Sequence, residues 1–221
     1  MVKVAYLPVV AILTAGVIFL AGCSKKSTET ELVGGNPTHM GEVGNTFSGS
    51  VAGMTDFSAI IQNNSRNIST IHCPGVVTDP VMLGLVGSVN SGSLASINTA
   101  TGEFTMDLRV RFTDEGIVDY FASDGSGSVL VNYNAGVGTK YTCRNAEGKT
   151  FTREVTAKST TDDYTWGFLK IKVSTIEEKP AVRGIQKVVY RANHQYGLVN
   201  ISVCLDDGTI YSFPVFSTKT N

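Results

Sequence analysis

The feature that most constrains the fold is a ten-residue segment, Glu103–Phe112, in which two kinds of side chain alternate without a break. Every even-numbered position holds a large apolar residue, and every odd-numbered position holds a charged residue or a threonine. Successive side chains of a β-strand point to opposite faces, so this period of two predicts a strand. The segment is therefore expected in a sheet that is buried on one face and wet on the other.

Segments of similar character recur along the chain, separated by turns that carry glycine, asparagine or aspartate. The predicted strands cover residues 46–51, 56–61, 68–72, 81–89, 94–98, 103–112, 128–134, 139–144, 149–158, 164–176, 182–192, 198–205 and 209–216. A helical turn is the alternative for 56–61, and the apolar run at 81–89 suits a strand buried on both faces. Asp206-Asp207-Gly208 predicts a tight hairpin, because Asp-Gly supplies positive φ angles. The chain from Tyr164 onward is therefore predicted to be a four-stranded antiparallel meander.

One short helix is predicted after the alternating strand. Thr113 is a suitable N-cap, acidic residues follow it, and apolar residues from Ile117 to Phe121 lie at helical spacing. Ser123-Asp124-Gly125 would end this helix. It is the one helix that the sequence predicts beyond residue 23.

The composition agrees with an all-β fold, because glycine is frequent, at 23 of 221 residues, and long helical periodicities are absent. The spacing of strands and turns predicts an antiparallel β-sandwich or open barrel of about ten strands, with the one short helix. Residues 46–221 would form this β-rich domain. A division into two subdomains near residues 123–128 is the alternative.

The first 23 residues have the order of a secretory signal. Lys3 precedes an apolar run, Val4–Leu20, which leads through small residues to a cysteine. The sequence Leu20-Ala21-Gly22-Cys23 resembles the lipobox of bacterial lipoproteins, and the resemblance covers only these residues and the run before them. It implies cleavage before Cys23, a diacylglycerol on its thiol and usually an acyl chain on its new α-amine. Two or three acyl chains give stable anchoring, whereas one gives only marginal binding.

The alternative is an uncleaved anchor, since Val4–Gly22 is 19 residues long and could just span a bilayer. Pro8 and Gly16 within the run, and Lys25-Lys26 beyond it, favour the cleaved lipoprotein. Ser24 stands where inner-membrane lipoproteins of enteric bacteria typically carry aspartate, so the resemblance favours the outer membrane. The expected location is the bacterial cell envelope, on the periplasmic or surface side, with the membrane itself as a partner.

Residues 23–45 are predicted to be a lipidated, flexible tether. The stretch is polar and bears several glycines, so it has too little apolar surface to offset its ordering entropy. A coil of this length would reach roughly 25 Å and would hold the β-rich domain clear of the lipid headgroups.

Charge and cysteine content narrow the choice of partners. Without residues 1–22 the chain loses one of its 18 basic residues and keeps all 19 acidic residues, for a net charge of −2. No basic face is implied, so nucleic acid is not an expected partner. Cys73, Cys143 and Cys204 remain once Cys23 is lipidated, and the exported location allows one disulfide among them. We expect Cys143 and Cys204 to pair, because each lies just before a predicted hairpin turn.

Signatures of metal, cofactor and catalytic chemistry are weak. The soft ligands lack the spacing of a zinc site, there is no haem-attachment motif, and the aspartate-bearing turns do not fit an EF-hand loop. The soft ligands are His72, Cys73, Cys143, His194 and Cys204. No G-x-S-x-G elbow is present. We therefore expect no metal site and no cofactor.

Three aromatic residues, Tyr164, Trp166 and Phe168, recur at every second position of a predicted strand and would share one of its faces. Such a row is more often part of a core, but on an exposed sheet it could be a platform on which sugars stack. We therefore treat these three residues as a candidate ligand-binding site.

Two hypotheses for function follow. The first is a non-enzymatic, lipid-anchored envelope protein whose β module binds an envelope protein or glycan or has a structural role. The second is a lipid-anchored hydrolase, or another enzyme, whose residues meet only in the folded protein. They differ in whether His72 and His194 lie within hydrogen-bond reach of a carboxylate or a cysteine. The sequence favours the first.

Overall fold

The structure is a computed structural model that describes residues 32–49, 53–55, 57–83, 95–122, 124–144, 148–180 and 183–221. Within these ranges the chain is almost entirely β-structure, in two antiparallel sheets and one small hairpin. The all-β prediction is confirmed. The predicted signal peptide and Cys23 lie outside the described residues.

The described part of the chain contains seventeen strands. They are β1 (Thr46–Ser48), β2 (Met54–Thr55), β3 (Ala59–Ser65), β4 (Ile68–Val77), β5 (Ala95–Ile97), β6 (Glu103–Phe112), β7 (Gly116–Asp119), β8 (Ser128–Asn132), β9 (Lys140–Arg144), β10 (Thr150–Lys158), β11 (Tyr164–Trp166), β12 (Leu169–Ile171), β13 (Ser174–Glu178), β14 (Ile185–Asn193), β15 (Gly197–Leu205), β16 (Ile210–Pro214) and β17 (Phe216–Ser217).

The first sheet is built around β4 and β6, its two longest strands. They pair from Ser69 opposite Val110 to Val76 opposite Glu103. The strand order is β17-β1-β3-β4-β6-β7-β8, with β2 beside β4 and β5 beside β6. The alternating segment forms β6, as predicted: its apolar positions are buried or half-buried, and its polar positions are exposed except for the half-buried Arg111.

The second sheet has the strand order β16-β15-β14-β13-β10-β9. Strands β13 to β16 form the predicted antiparallel meander, although it begins at Ser174 rather than at Tyr164. The predicted hairpin at its end is present: the Leu205 N–H donates to the Thr209 carbonyl at 2.8 Å, and Gly208 has a φ of +89°. After β16 the chain crosses to the first sheet, where β17 pairs with β1.

The two sheets pack against each other around one shared apolar core. The first sheet contributes Ile61, Phe112, Ile117 and Val131, and the second contributes Tyr141, Val155, Ile176 and Ala192. The alternative boundary near residues 123–128 does not fall between the sheets, because β8 still belongs to the first one. The chain changes sheets between β8 and β9.

The predicted helix at residues 113–121 is wrong. Gly116–Asp119 form β7, which pairs with β6 on one side and with β8 on the other. Thr113 closes a turn instead of capping a helix, since its backbone N–H donates to the Gly116 carbonyl at 2.9 Å. All four β7 residues are buried, so pairing on both sides overrides the local helical spacing. Helical turns occur instead at residues 39–41 and 80–83.

The predicted tether extends too far along the chain. Val33, Met40 and Asn45 are buried, and the first two belong to the shared core. Pro37 forms an isolated bridge with Thr113, which fixes the segment against the end of β6. A few apolar residues are enough to order this segment, because they pack into a core that is formed mainly by the rest of the chain. The tether therefore ends before Val33, and residues 23–31 lie outside the described residues.

Two long predicted strands are also wrong in extent. The run at 81–89 starts in a helical turn at residues 80–83, and residues 84–94 lie outside the described ranges. The segment at 164–176 contains β11, β12 and the start of β13 instead of one strand. A turn at Gly167, whose φ is +57°, folds β12 back onto β11.

Candidate interaction site at the β11–β12 hairpin

The predicted aromatic row does not share one face of one strand. Tyr164 and Trp166 lie on β11, but Phe168 lies in the turn that follows it. Tyr164 and Trp166 pack with Ile171 and Val199 in a small apolar cluster that is separate from the shared core. The prediction that all three rings form one platform is therefore wrong, because Gly167 reverses the chain between the second and the third.

The hairpin lies on the outer face of the second sheet. Tyr190 of β14 faces the shared core, so its neighbour Arg191 points to the opposite face. The Tyr164 ring stands over the Arg191 guanidinium at 5.6 Å, close enough for a cation–π contact. Arg191 also donates to the Asn200 side-chain oxygen at 3.0 Å. These contacts hold the base of the hairpin on the sheet.

Trp166 fixes the other end of β11. Its indole N–H donates to the Val215 carbonyl at 2.9 Å. Its ring stacks on Phe216 with 5.0 Å between centroids and lies 4.6 Å from the tilted ring of Tyr196. The polar atom and the ring of Trp166 are thus engaged within the protein. Trp166 is therefore a packing residue rather than part of an exposed stacking platform. It holds the hairpin against the C-terminal segment.

Phe168 is the part of the aromatic row that is free to meet a partner. Its side chain is fully exposed, at 108% of the reference area, and the adjacent Leu169 is 46% exposed. We call residues 167–169 the hairpin tip. Single exposed apolar residues are common, but a phenylalanine and a leucine together at the end of a braced hairpin form a small convex apolar surface.

The expected disulfide between Cys143 and Cys204 is contradicted, because both thiols are free, as is Cys73. Cys143 lies on β9 and Cys204 on β15, with three strands between them, which places them about 19 Å apart across the sheet. A disulfide needs Cα atoms within about 7 Å. Burial raises the pKa of Cys73 to about 12 and that of Cys143 to about 11, so neither is a reactive thiolate at neutral pH.

The two histidines of the β-rich domain lie in different settings. His72 Nδ1 lies 2.7 Å from an Asp107 carboxylate oxygen across the β4–β6 pair. His194 Nε2 lies 3.1 Å from a backbone carbonyl, that of Asp114, and its ring contacts Tyr133 edge to face. Of these two histidines, His72 therefore meets the geometric condition for an enzyme and His194 does not. Asp107 is 62% exposed, and it is the one side-chain hydrogen-bond partner that His72 has within the described ranges.

A buried ionic cluster joins the two sheets, and sequence reasoning missed it. Arg153 on β10 forms ion pairs with Asp119 on β7 and, at 2.8 Å, with Glu178 on β13. The Tyr190 hydroxyl donates to Glu178 at 3.1 Å. The sequence feature that could have revealed this cluster is Arg153, which shares a strand face with the buried Val155. A charged residue in such a row indicates a buried partner.

The cluster carries one cation and two carboxyl groups in a dry environment. Burial raises the pKa of Asp119, although the Arg153 charge opposes this effect. Burial also raises the pKa of Tyr190 well above its usual value. Arg153 and Asp119 are each only 2% exposed, so no ligand can reach them without opening the core. The cluster therefore links the sheets rather than serving as a binding site.

No group of three or more histidine, cysteine, aspartate or glutamate side chains in the described ranges could hold a metal ion. The aspartates in the turns serve the backbone: Asp124 accepts the Ser126 N–H, and Asp207 accepts the Thr209 N–H, each at 2.8 Å. Hydrogen bonds from Ser126 lower the pKa of Asp124. None of the helical segments within the described ranges is both long and apolar enough to cross a bilayer.

The fold and the site together define a class of protein, an antiparallel β-sandwich with an aromatic hairpin braced on the outside of one sheet. No protein-family model, no curated protein and no solved structure matches the chain.

Proposed function

We propose that this chain is a lipid-anchored protein of the bacterial cell envelope, and that its β-sandwich is a binding or structural module held close to the membrane. The observation that carries the proposal is the short distance along the chain between Leu20-Ala21-Gly22-Cys23 and the folded module. Val33 is already part of the core and lies ten positions after Cys23. These ten peptide units span at most about 35 Å when fully extended.

This short connection reduces the expected distance between the folded module and the membrane. As a coil the same ten peptide units would reach only about 17 Å, less than the roughly 25 Å expected for the predicted tether, residues 23–45. The module is then kept near the lipid headgroups rather than clear of them. Its partners would be other components of the envelope, a protein or a glycan, together with the bilayer itself. Ser24 favours the outer membrane by the lipoprotein resemblance.

The test of anchoring is fractionation of the full chain. We expect Cys23→Ala to abolish membrane association after a carbonate wash, because no acyl chain can then be attached. Cys204→Ala is the matched control, since this buried thiol is free and its loss leaves the anchor unchanged. If Cys23→Ala still pellets with washed membranes, the run Val4–Gly22 is an anchor and the lipoprotein proposal is wrong.

A lipid-anchored hydrolase is the second candidate, and the contact between His72 and Asp107 favours it. A histidine oriented by a carboxylate is one half of a nucleophilic or general-base site. Within the described residues the pair is open to solvent, since the His72 side chain is 30% exposed and that of Asp107 is 62% exposed. The non-enzymatic module is therefore the better supported function. His72→Ala should leave the association of the protein with its envelope partners unchanged.

A further inference from the structure

We propose that the hairpin tip, residues 167–169, inserts into the interface of a lipid bilayer that contains anionic lipids and gives the anchored module a second membrane contact. The inference rests on the proposed membrane-proximal location, because the bilayer must lie within reach of the tip. It adds a site and a lipid class that lipid anchoring alone does not supply.

The apolar part of the tip suits the boundary between headgroups and acyl chains. Phe168 is completely exposed and Leu169 is nearly half exposed, so both lose apolar contact with water on insertion. A bilayer interface accepts a convex tip of this kind without needing a matching cavity. Insertion of aromatic and aliphatic side chains into this boundary is how peripheral helices bind membranes, and a hairpin can do the same.

The base of the hairpin is fixed, so insertion costs little conformational entropy. Tyr164 pairs with Ile171 and Trp166 pairs with Leu169 across β11 and β12. The Trp166 hydrogen bond to Val215 and its stacking on Phe216 brace the end next to the tip. A preorganised loop binds more tightly than a mobile one with the same side chains.

The charge next to the tip favours anionic lipids over uncharged ones. Lys170 follows the tip directly, is exposed and pairs with Thr165 across the hairpin, and no ion pair is seen for it within the described residues. Lys172 lies at the other end of the hairpin, beyond the Tyr164–Ile171 pair, together with Asp162 and Asp163. Lysines near a membrane surface are attracted to anionic headgroups.

Because the anchor already holds the module at the membrane, a weak contact between the hairpin tip and the bilayer is sufficient for docking. A module held by about ten residues of chain meets the membrane at a high effective concentration, so the tip needs only modest intrinsic affinity. A protein pocket that received Phe168 would instead have to be formed by a specific partner. The bilayer is the partner that a lipid-anchored chain always has beside it.

Trp166 is the only tryptophan in the sequence and stands two residues from Phe168, so it reports on docking without a label. The probe is a vesicle of phosphatidylcholine, phosphatidylglycerol and a nickel-chelating lipid, with brominated acyl chains as short-range quenchers. The protein is the chain from residue 24 with an N-terminal histidine tag, which replaces the acyl anchor and makes the result independent of lipidation at Cys23. We expect brominated vesicles to quench Trp166 more than non-brominated ones.

Phe168→Ser should reduce the docked-to-undocked ratio about tenfold, because it removes the largest apolar group of the tip. Val137→Ser is the matched control: it removes another exposed apolar side chain, 62% exposed and away from the hairpin, and should leave quenching unchanged. Emission of Trp166 without vesicles verifies that each variant keeps the hairpin folded.

The proposal is overturned if wild-type Trp166 is not quenched, or if Phe168→Ser is quenched as strongly as wild type. Quenching that is equal with and without phosphatidylglycerol overturns the role assigned to Lys170. Phe168-dependent capture of an envelope protein or glycan by a chain that shows no quenching assigns the tip to that partner instead. The Cys23→Ala fractionation is unaffected by any of these results, so the two proposals fail separately.

Discussion

At the scale of single residues, the largest departure from a simple sandwich is Arg153. Its guanidinium is buried between the sheets and holds Asp119 from one sheet and Glu178 from the other. A further hydrogen bond from Arg153 reaches the Val129 carbonyl at 3.1 Å. A buried ion pair adds little net stability compared with an apolar core, but removing one partner leaves the others buried and uncompensated. Arg153 is therefore expected to be sensitive to substitution.

We predict that Arg153→Met lowers the free energy of unfolding by about 3–5 kcal/mol, measured by urea denaturation near neutral pH. Methionine keeps most of the side-chain volume and removes the charge. The loss of stability therefore reports the contribution of the guanidinium group. Lys140→Met is the matched control, because Lys140 pairs with Glu154 at 3.2 Å on the surface and should cost at most about 1 kcal/mol. Equal losses in the two variants would contradict the role of the cluster.

The same variant should have a distinct pH dependence. The Arg153 charge opposes the rise in the pKa of Asp119, so its removal raises that pKa further. A carboxyl group with a raised pKa in the folded state stabilises the fold below its unfolded pKa, and this stability is lost as pH rises through the folded pKa. The destabilisation of Arg153→Met relative to wild type should therefore shrink on acidification.

At the scale of elements, turns decide where strands begin and end. Gly102 ends the turn before β6 with a φ of +76°, and the Val77 N–H donates to its carbonyl at 2.8 Å. Its backbone lies so close to β4 that an added Cβ would be 2.1 Å from the Val77 carbonyl oxygen.

Strand β4 itself continues through Pro74, because its pairing with β3 ends at His72 and the missing N–H is no longer needed there.

We predict that Gly102→Ala destabilises the protein by more than about 2 kcal/mol, since the unfavourable φ alone costs about 1–2 kcal/mol and the clash adds to it. Gly148→Ala tests the φ effect by itself, because Gly148 has the same φ of +76° and no atom of the described residues lies within 4 Å of its added Cβ. Chemical denaturation measures both. A Gly148→Ala loss as large as that of Gly102→Ala would show that the approach to β4 has no effect.

At the scale of the whole molecule, the segment before β1 and the C-terminal strand β17 are joined at one edge of the first sheet. The fully buried Asn45 donates to the Met40 carbonyl at 2.7 Å and to the Ser217 hydroxyl at 3.0 Å. Its side-chain oxygen accepts hydrogen bonds from the Thr218 hydroxyl and the Lys219 N–H. One amide thus links chain segments that lie 172 residues apart.

We predict that Asn45→Ala costs about 3 kcal/mol of stability, because it leaves several buried polar groups without partners. Amide hydrogen exchange should show the largest loss of protection in β1 and β17. Asn98→Ala is the control: within the described residues its side chain accepts the Ala100 N–H in an exposed turn and makes no other hydrogen bond, so its loss should cost about 1 kcal/mol or less. Unchanged protection in β17 would show that Asn45 does not close the sheet.

The sequence by itself determined those features that depend on neighbours along the chain. The alternation in Glu103–Phe112 specified a strand with one buried face, and Asp206-Asp207-Gly208 specified the last hairpin, because periodicity and turn geometry are local properties. The lipobox resemblance is equally local, and it remains a prediction about residues outside the described ranges.

Tertiary structure alone decided the features that depend on contacts across the fold. Gly116–Asp119 became a strand because β6 and β8 offer it pairing on both sides, and Val33 is ordered because the core has a place for it. Phe168 left the aromatic row because Gly167 turns the chain, and Arg153 was tolerated in the core because Asp119 came from the other sheet. A local pattern records what a residue prefers, whereas burial and pairing depend on distant residues whose positions only the complete fold sets.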